Sequence, residues 1–149
     1  MEFVTDSPEQ TWRLAYRLAK LVNAPICIAL NGSLGAGKTQ FTKGFAQGCC
    51  VTEEVTSPTF ALMNEYEGSV NVLHIDVYRL EEEELFELGI EEQIEEWDGA
   101  VLVEWSSLHP SILPLDHLDI SIQILSPEKR LIKVSLVGNI ELNLDVLNE

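Results

Sequence analysis

Gly32-Ser33-Leu34-Gly35-Ala36-Gly37-Lys38-Thr39 decides how this 149-residue chain is read. The eight residues satisfy GxxxxGK[ST], and each type in the pattern has a physical task. Glycines let successive backbone N–H groups turn inward around a phosphate, a conformation that side chains would obstruct. A helix starting at the end of the loop adds free N–H groups and its positive dipole end. Lys38 can reach β- and γ-phosphates, and the Thr39 hydroxyl can ligate Mg²⁺. An accidental glycine-rich turn of this form arises in roughly one chain of this length in a few hundred at average composition.

The flanks agree with the loop. Residues 26–30 form a short apolar run suited to a strand buried on both faces, and residues 39–47 read as the helix beyond. A phosphate-binding strand–loop–helix unit also needs an acid at the end of a neighbouring strand, to hold Mg²⁺ or orient an attacking water. Two positions compete. Glu104 closes the apolar run Ala-Val-Leu-Val-Glu, and Asp76 closes Val-Leu-His-Ile-Asp. Either acid alone could simply cap a strand at the surface.

Upstream, Ser7 as N-cap, Pro8 at the first helical position and Gln10 closing a capping box predict a helix that stops before Pro25. Trp12, Ala15, Ala19 and Val22 give it an apolar stripe, widened by Leu14, Leu18 and Leu21. Downstream, residues 60–66 and 71–76 read as two strands joined by a turn at Gly68-Ser69. Residues 81–98 hold ten acids and no base. Phe86, Ile90, Ile94 and Trp97 fall on one helical face there, so the stretch reads as an amphipathic helix that Gly89 can break in two. Residues 100–105 form another apolar strand, and 106–116, with Pro110 and Pro114, a loop. Residues 118–124, 131–137 and 140–147 alternate in the manner of strands.

Composition bounds the function. The length suits one domain over residues 1–149, and 46% hydrophobic content is enough for a packed core. Twenty-five acids against nine Lys and Arg give a net charge of −16. Such a chain is repelled by phosphate backbones and anionic membranes, so a basic protein surface is its natural complement. Cys27, Cys49 and Cys50 lack metal-ligand spacing and read as reduced thiols. No signal peptide or membrane span is evident, and the default reading is cytoplasmic and soluble.

Four segments taken together, GSLGAGKT at 32–39, SPTF at 57–60, HIDVYR at 74–79 and VEW at 103–105, resemble the TsaE family. That family comprises the small bacterial ATPases of the tRNA threonylcarbamoylation system. The motifs stand in the family's order, and the resemblance covers residues from about 5 to 125. It implies an α/β, P-loop NTPase-like three-layer fold with a mixed parallel and antiparallel sheet. It further implies hydrolysis of ATP to ADP, with Lys38, Asp76 and Glu104 catalytic and with Thr39 and Glu104 on Mg²⁺. Nucleotide contacts would come from Gly32, Ser33, Leu34, Gly35, Ala36, Gly37, Lys38, Thr39 and Gln40. Thr59 would add to them from a switch-like loop at 57–60, as would Trp105. Thr5 and Thr11 match positions used near base and ribose. The partners implied are TsaB and TsaD, which carry out transfer to an adenosine beside the anticodon.

Several residues keep more than one reading. Trp105 could stack on adenine, meet a partner or fill core. Arg79 could be an internal arginine finger or pair with an acid. His74 shares a strand face with Asp76 and could line the site or lie satisfied in the core. The acidic stretch could dock a partner or form a solvated face. A small-molecule kinase and a non-hydrolysing nucleotide sensor are the competing functions, although no arginine-rich lid is visible. Adenine is preferred from the family resemblance together with the absence of a guanine-reading NKxD segment.

Overall fold

The computed structural model describes residues 1–23, 25–58 and 62–148. Seven strands form one mixed sheet: β1 (Glu2–Thr5), β2 (Ile26–Gly32), β3 (Met63–Tyr66), β4 (Val72–Asp76), β5 (Ala100–Glu104), β6 (His117–Ile124) and β7 (Arg130–Val137). Their spatial order is β1-β7-β6-β2-β5-β4-β3. Strand β2 lies between β5 and β6, parallel to both, and β4 runs parallel to β5. The outer pairs, β1 with β7, β6 with β7 and β3 with β4, are antiparallel. The mixed α/β architecture expected from the sequence is thus present.

Helices cover both faces. On one, α1 (Pro8–Ala19) and α2 (Lys38–Gly48) pack with Ile28, Leu30, Leu102 and Ile120. On the other, α3 (Glu82–Glu87) and α4 (Ile90–Glu96) supply Leu85, Ile90 and Ile94 to a core with Leu73, Ile75, Val101 and Val103. Alternation along β4 and β5 therefore places His74, Asp76 and Glu104 on the face that carries α2.

Helix α1 starts as its sequence dictates, with Ser7 Oγ accepting from Gln10 N at 3.2 Å and Pro8 in the first turn. The Gln10 side chain reaches one residue further back than a capping box requires, taking the Asp6 amide at 2.7 Å. Helix α2 contains two glycines that lower its intrinsic propensity. Tertiary packing explains them. A Cβ on Gly44 would stand 2.1 Å from Trp12 O, and one on Gly48 2.6 Å from Tyr16 O and the Ala19 side chain, so α1 and α2 meet backbone to backbone. Gly44→Ala is expected to destabilise the protein by roughly 3 kcal/mol, at the upper end for overpacking, despite alanine's higher helix propensity. Urea denaturation checks this. An unchanged midpoint would show that the helices can separate freely.

Three expectations need correction. Phe86 does not share the buried face with Ile90 and Ile94: it is 88% exposed, while Leu85 is 5% exposed. Gly89 adopts φ 64°, ends α3 and restarts the chain as α4, and the phase shift brings Leu85 inward instead. Residues 140–147 form no strand, because the free edge of β7 is taken by β1, a four-residue strand too short to announce itself in the sequence. Instead the tail ends in a 3₁₀ turn, Leu144–Asn148, that buries Leu144 and Leu147. Arg17 fastens it, donating to Val146 O at 2.6 Å and Leu147 O at 3.2 Å. The loop at 106–116 contains two 3₁₀ turns, Ser106–Leu108 and Pro110–Ile112. Of the strand expected at 60–66, the part from Met63 is seen, and residues 60 and 61 lie outside the described residues.

Candidate functional site

Strand β2 ends at Gly32 beside β6, where only glycine fits: a Cβ would lie 2.8 Å from Ile122 O. The chain then turns through Gly35 and Gly37, at φ 79° and 112°, conformations that favour glycine over any side chain. Helix α2 follows at once, and no side chain caps it. Its first-turn amides are therefore available to an anion. The loop walls a cavity of about 610 Å³, a size that suits a small ligand such as a nucleotide. Leu34, Gly35, Ala36, Gly37, Lys38, Thr39 and Gln40 line it together with Asp76, Glu104 and Trp105. Among the described residues, cavities also lie around Cys27 and Trp97 and along α3 and α4, and neither of these joins a lysine to strand-end acids.

Parallel pairing makes Asp76 and Glu104 register neighbours, so both carboxylates arrive at the same level above the sheet. Asp76 Oδ1 accepts the Tyr78 amide at 2.9 Å, while Glu104 Oε2 lies 2.5 Å from His74 Nε2. Lys38, 7% exposed, donates to Gly32 O, and to Ser33 O at 3.2 Å. Its ammonium also stands 4.1 Å from the centre of the Trp105 ring. Burial pushes the Lys38 pKa below its ordinary value, against the upward pull of Glu104 and Asp76. Asp76 is shifted upward, first by burial and then by the Glu104 charge, while the Tyr78 amide, His74 and Lys38 oppose the rise.

A raised carboxyl pKa means that the folded protein holds this proton more tightly than the unfolded chain does. The ionised form costs stability once pH rises from the ordinary value of 3.8 through the raised one. Asp76→Asn is accordingly expected to raise the urea midpoint at about pH 7, and the gain should vanish near pH 3, where both chains are neutral there. An equal gain at both pH values would refute this cause.

Other sequence candidates are placed as follows. Trp105 leaves β5 at φ 64° and tilts against Tyr78, with ring centroids 4.7 Å apart; half-buried, it also packs against the core cluster of Ile75 and Val103 while lining the cavity. Thr5 and Thr11 are buried, bond each other through their hydroxyls at 2.8 Å and do not line the cavity. Nearby Pro8 does line it. Ser57 and Arg79 line it as well, and no salt bridge of Arg79 is seen among the described residues. Thr59, expected to touch the nucleotide, lies outside the described residues. His74 is wholly buried and bound to Glu104, so it belongs to both core and site.

Sequence reasoning missed two devices. Arg130 on β7 lines the cavity and grips the loop, donating from Nε to Ala36 O at 2.8 Å. The Asn31 amide joins β2 to the turn after Trp105, donating to Ser106 Oγ at 3.1 Å and accepting from Ser107 N at 3.1 Å. Both act through backbone or hydroxyl partners distant in sequence, and neither residue type carries a spacing signal.

Fold and site define an α/β protein of P-loop NTPase-like architecture, with a lysine, a threonine and two strand-end carboxylates around one cavity. The family model described as threonylcarbamoyl adenosine biosynthesis protein TsaE matches residues 5–132, and the chain belongs to that family. It is 40% identical over 140 residues to the tRNA threonylcarbamoyladenosine biosynthesis protein TsaE of Bacillus subtilis, covering 93% of this chain and 87% of that protein. The protein of the same name from Treponema pallidum is 37% identical, with 91% of this chain and 100% of the relative covered. The crystal structure of Bacillus subtilis YdiB superposes with a TM-score of 0.78 at 35% identity, over 93% of this chain and 86% of that one.

Proposed function

We propose that this chain is a Mg²⁺-dependent ATPase that supports formation of threonylcarbamoyladenosine in tRNA, acting in a complex with TsaB and TsaD. One observation carries the ATPase reading: Lys38, Thr39, Asp76 and Glu104, far apart in sequence, line a single cavity floored by the glycine loop. The names of the relatives support the pathway. A net charge of −16 supports a protein partner that itself holds the tRNA. No helix among the described residues is long and apolar enough to cross a membrane, and the cytoplasm is the proposed site of action.

The loop amides and the start of α2 would bind the phosphates, with Lys38 leaving the loop carbonyls for phosphate oxygens. The Thr39 hydroxyl and Glu104 carboxylate are hard oxygen donors lining one cavity, a set that fits Mg²⁺. When bound, the metal would neutralise charge on the β- and γ-phosphates. Asp76, the more outward of the two carboxylates, would orient the attacking water.

Release of ADP from ATP and of GDP from GTP tests the reading, with Mg²⁺ or a chelator and with or without TsaB and TsaD. Slow, Mg²⁺-dependent, ATP-selective turnover that the partners accelerate is expected. Turnover that requires a metabolite acceptor would make the protein a kinase. ATP binding without hydrolysis even beside the partners would make it a sensor, and equal rates with and without them would remove the complex from the reading.

A further inference from the structure

The His74 imidazole has one partnered and one unpartnered nitrogen. It is wholly buried, its Nε2 meets Glu104 Oε2 at 2.5 Å, and Nδ1 has no hydrogen-bond partner among the described residues. A proton on Nδ1 would be a buried donor with nothing to accept it, a cost of about 1–3 kcal/mol. The tautomer that meets the geometry carries its proton on Nε2 and donates it to the carboxylate.

We propose that His74 is a positioning residue for Glu104: its Nε2–H holds Oε2 at the back of the cavity and leaves Oε1 as the oxygen offered to a divalent cation. The inference rests on the ATPase reading and deepens it. Strand register supports the pairing. His74 stands two residues before Asp76, and Glu104 is the register neighbour of Asp76, so all three side chains rise on the same face. The ring therefore lies behind the carboxylates, where it touches Glu104 without lining the cavity. A carboxylate fixed at one oxygen has fewer rotamers to lose on binding a metal and cannot drift toward Lys38.

The test uses His74→Gln, whose amide nitrogen can reach the place of Nε2, and His74→Leu, which keeps volume without a donor. The Mg²⁺ concentration giving half of the thermal stabilisation by ATP analogue is measured, alongside stabilisation by the analogue in chelator. His74→Leu should raise that Mg²⁺ concentration by roughly 10- to 100-fold, leave the chelator value unchanged, and be rescued by His74→Gln. A purely packing role would lower the midpoint of ligand-free protein and leave the Mg²⁺ dependence alone; that result overturns the proposal. Should His74→Leu not fold, ¹⁵N spectra of wild-type protein decide, and a proton found on Nδ1 with Nε2 bare also overturns it. Wild-type protein that shows no Mg²⁺-dependent stabilisation would sink the ATPase reading and this inference together. Variants that titrate like a responsive wild type sink this inference alone.

Discussion

Lys38→Met is expected to lower ATP turnover by roughly 10²- to 10³-fold, the usual consequence of removing one preorganised donor from a developing oxyanion. The substitution keeps the aliphatic stem in a site that is almost fully buried and removes only the ammonium. That ammonium rests on Gly32 O and Ser33 O and against the Trp105 ring. Burial lowers its pKa, so the folded state binds this proton less tightly than the unfolded chain. The charged form therefore costs stability at every pH below the lowered pKa, and the cost disappears only above the ordinary value of 10.5. Two effects of opposite sign follow at neutral pH. The ligand-free variant should unfold at or above the wild-type temperature, whereas stabilisation by Mg²⁺ and ATP should be largely lost. Calorimetry with and without nucleotide separates them. Wild-type turnover in the variant would remove Lys38 from the mechanism, and a large fall in ligand-free stability would mean that the lysine serves the fold.

Much of this site was legible in the residues because its parts obey local rules. The glycine loop announces a backbone conformation, the apolar runs ending in Asp76 and Glu104 announce strands that stop at a polar site, and Ser7-Pro8 announces a helix start. What escaped depended on partners distant in sequence. The edge position beside β7 is contested between residues 2–5 and the alternating tail, and nothing local tells which strand forms. Phe86 and Leu85 are adjacent and both apolar; the left-handed turn at Gly89 decides which of them is buried. Arg130 looks like any strand-initiating cation until β7 is laid beside the loop whose carbonyls it binds. Thr5 and Thr11, assigned to a ligand by family likeness, share one hydrogen bond that their spacing of six residues did not announce.

Glu104 offers the clearest separation of chemistry from folding, because two substitutions at one position should fail differently. In Glu104→Gln the amide oxygen can still accept from His74 Nε2, so the buried imidazole keeps its partner. What disappears is the negative charge facing the cavity, and with it the hard anionic donor proposed for Mg²⁺. Turnover is expected to fall roughly 10³-fold, about 4 kcal/mol of barrier, with little change in unfolding midpoint. Excess Mn²⁺ should recover only a part. Glu104→Ala removes the acceptor as well and leaves His74 buried with neither nitrogen satisfied, for a further loss of roughly 1–3 kcal/mol of stability. Steady-state kinetics and urea unfolding on both variants read the two quantities independently. If Glu104→Gln turns over ATP at the wild-type rate with the same Mg²⁺ requirement, the metal is held elsewhere, and Asp76, its register neighbour, becomes the carboxylate to test. If Glu104→Ala is as stable as Glu104→Gln, the His74 bond contributes nothing to the fold. The pairing of β4 with β5 at that level would then rest on their parallel backbone ladder alone.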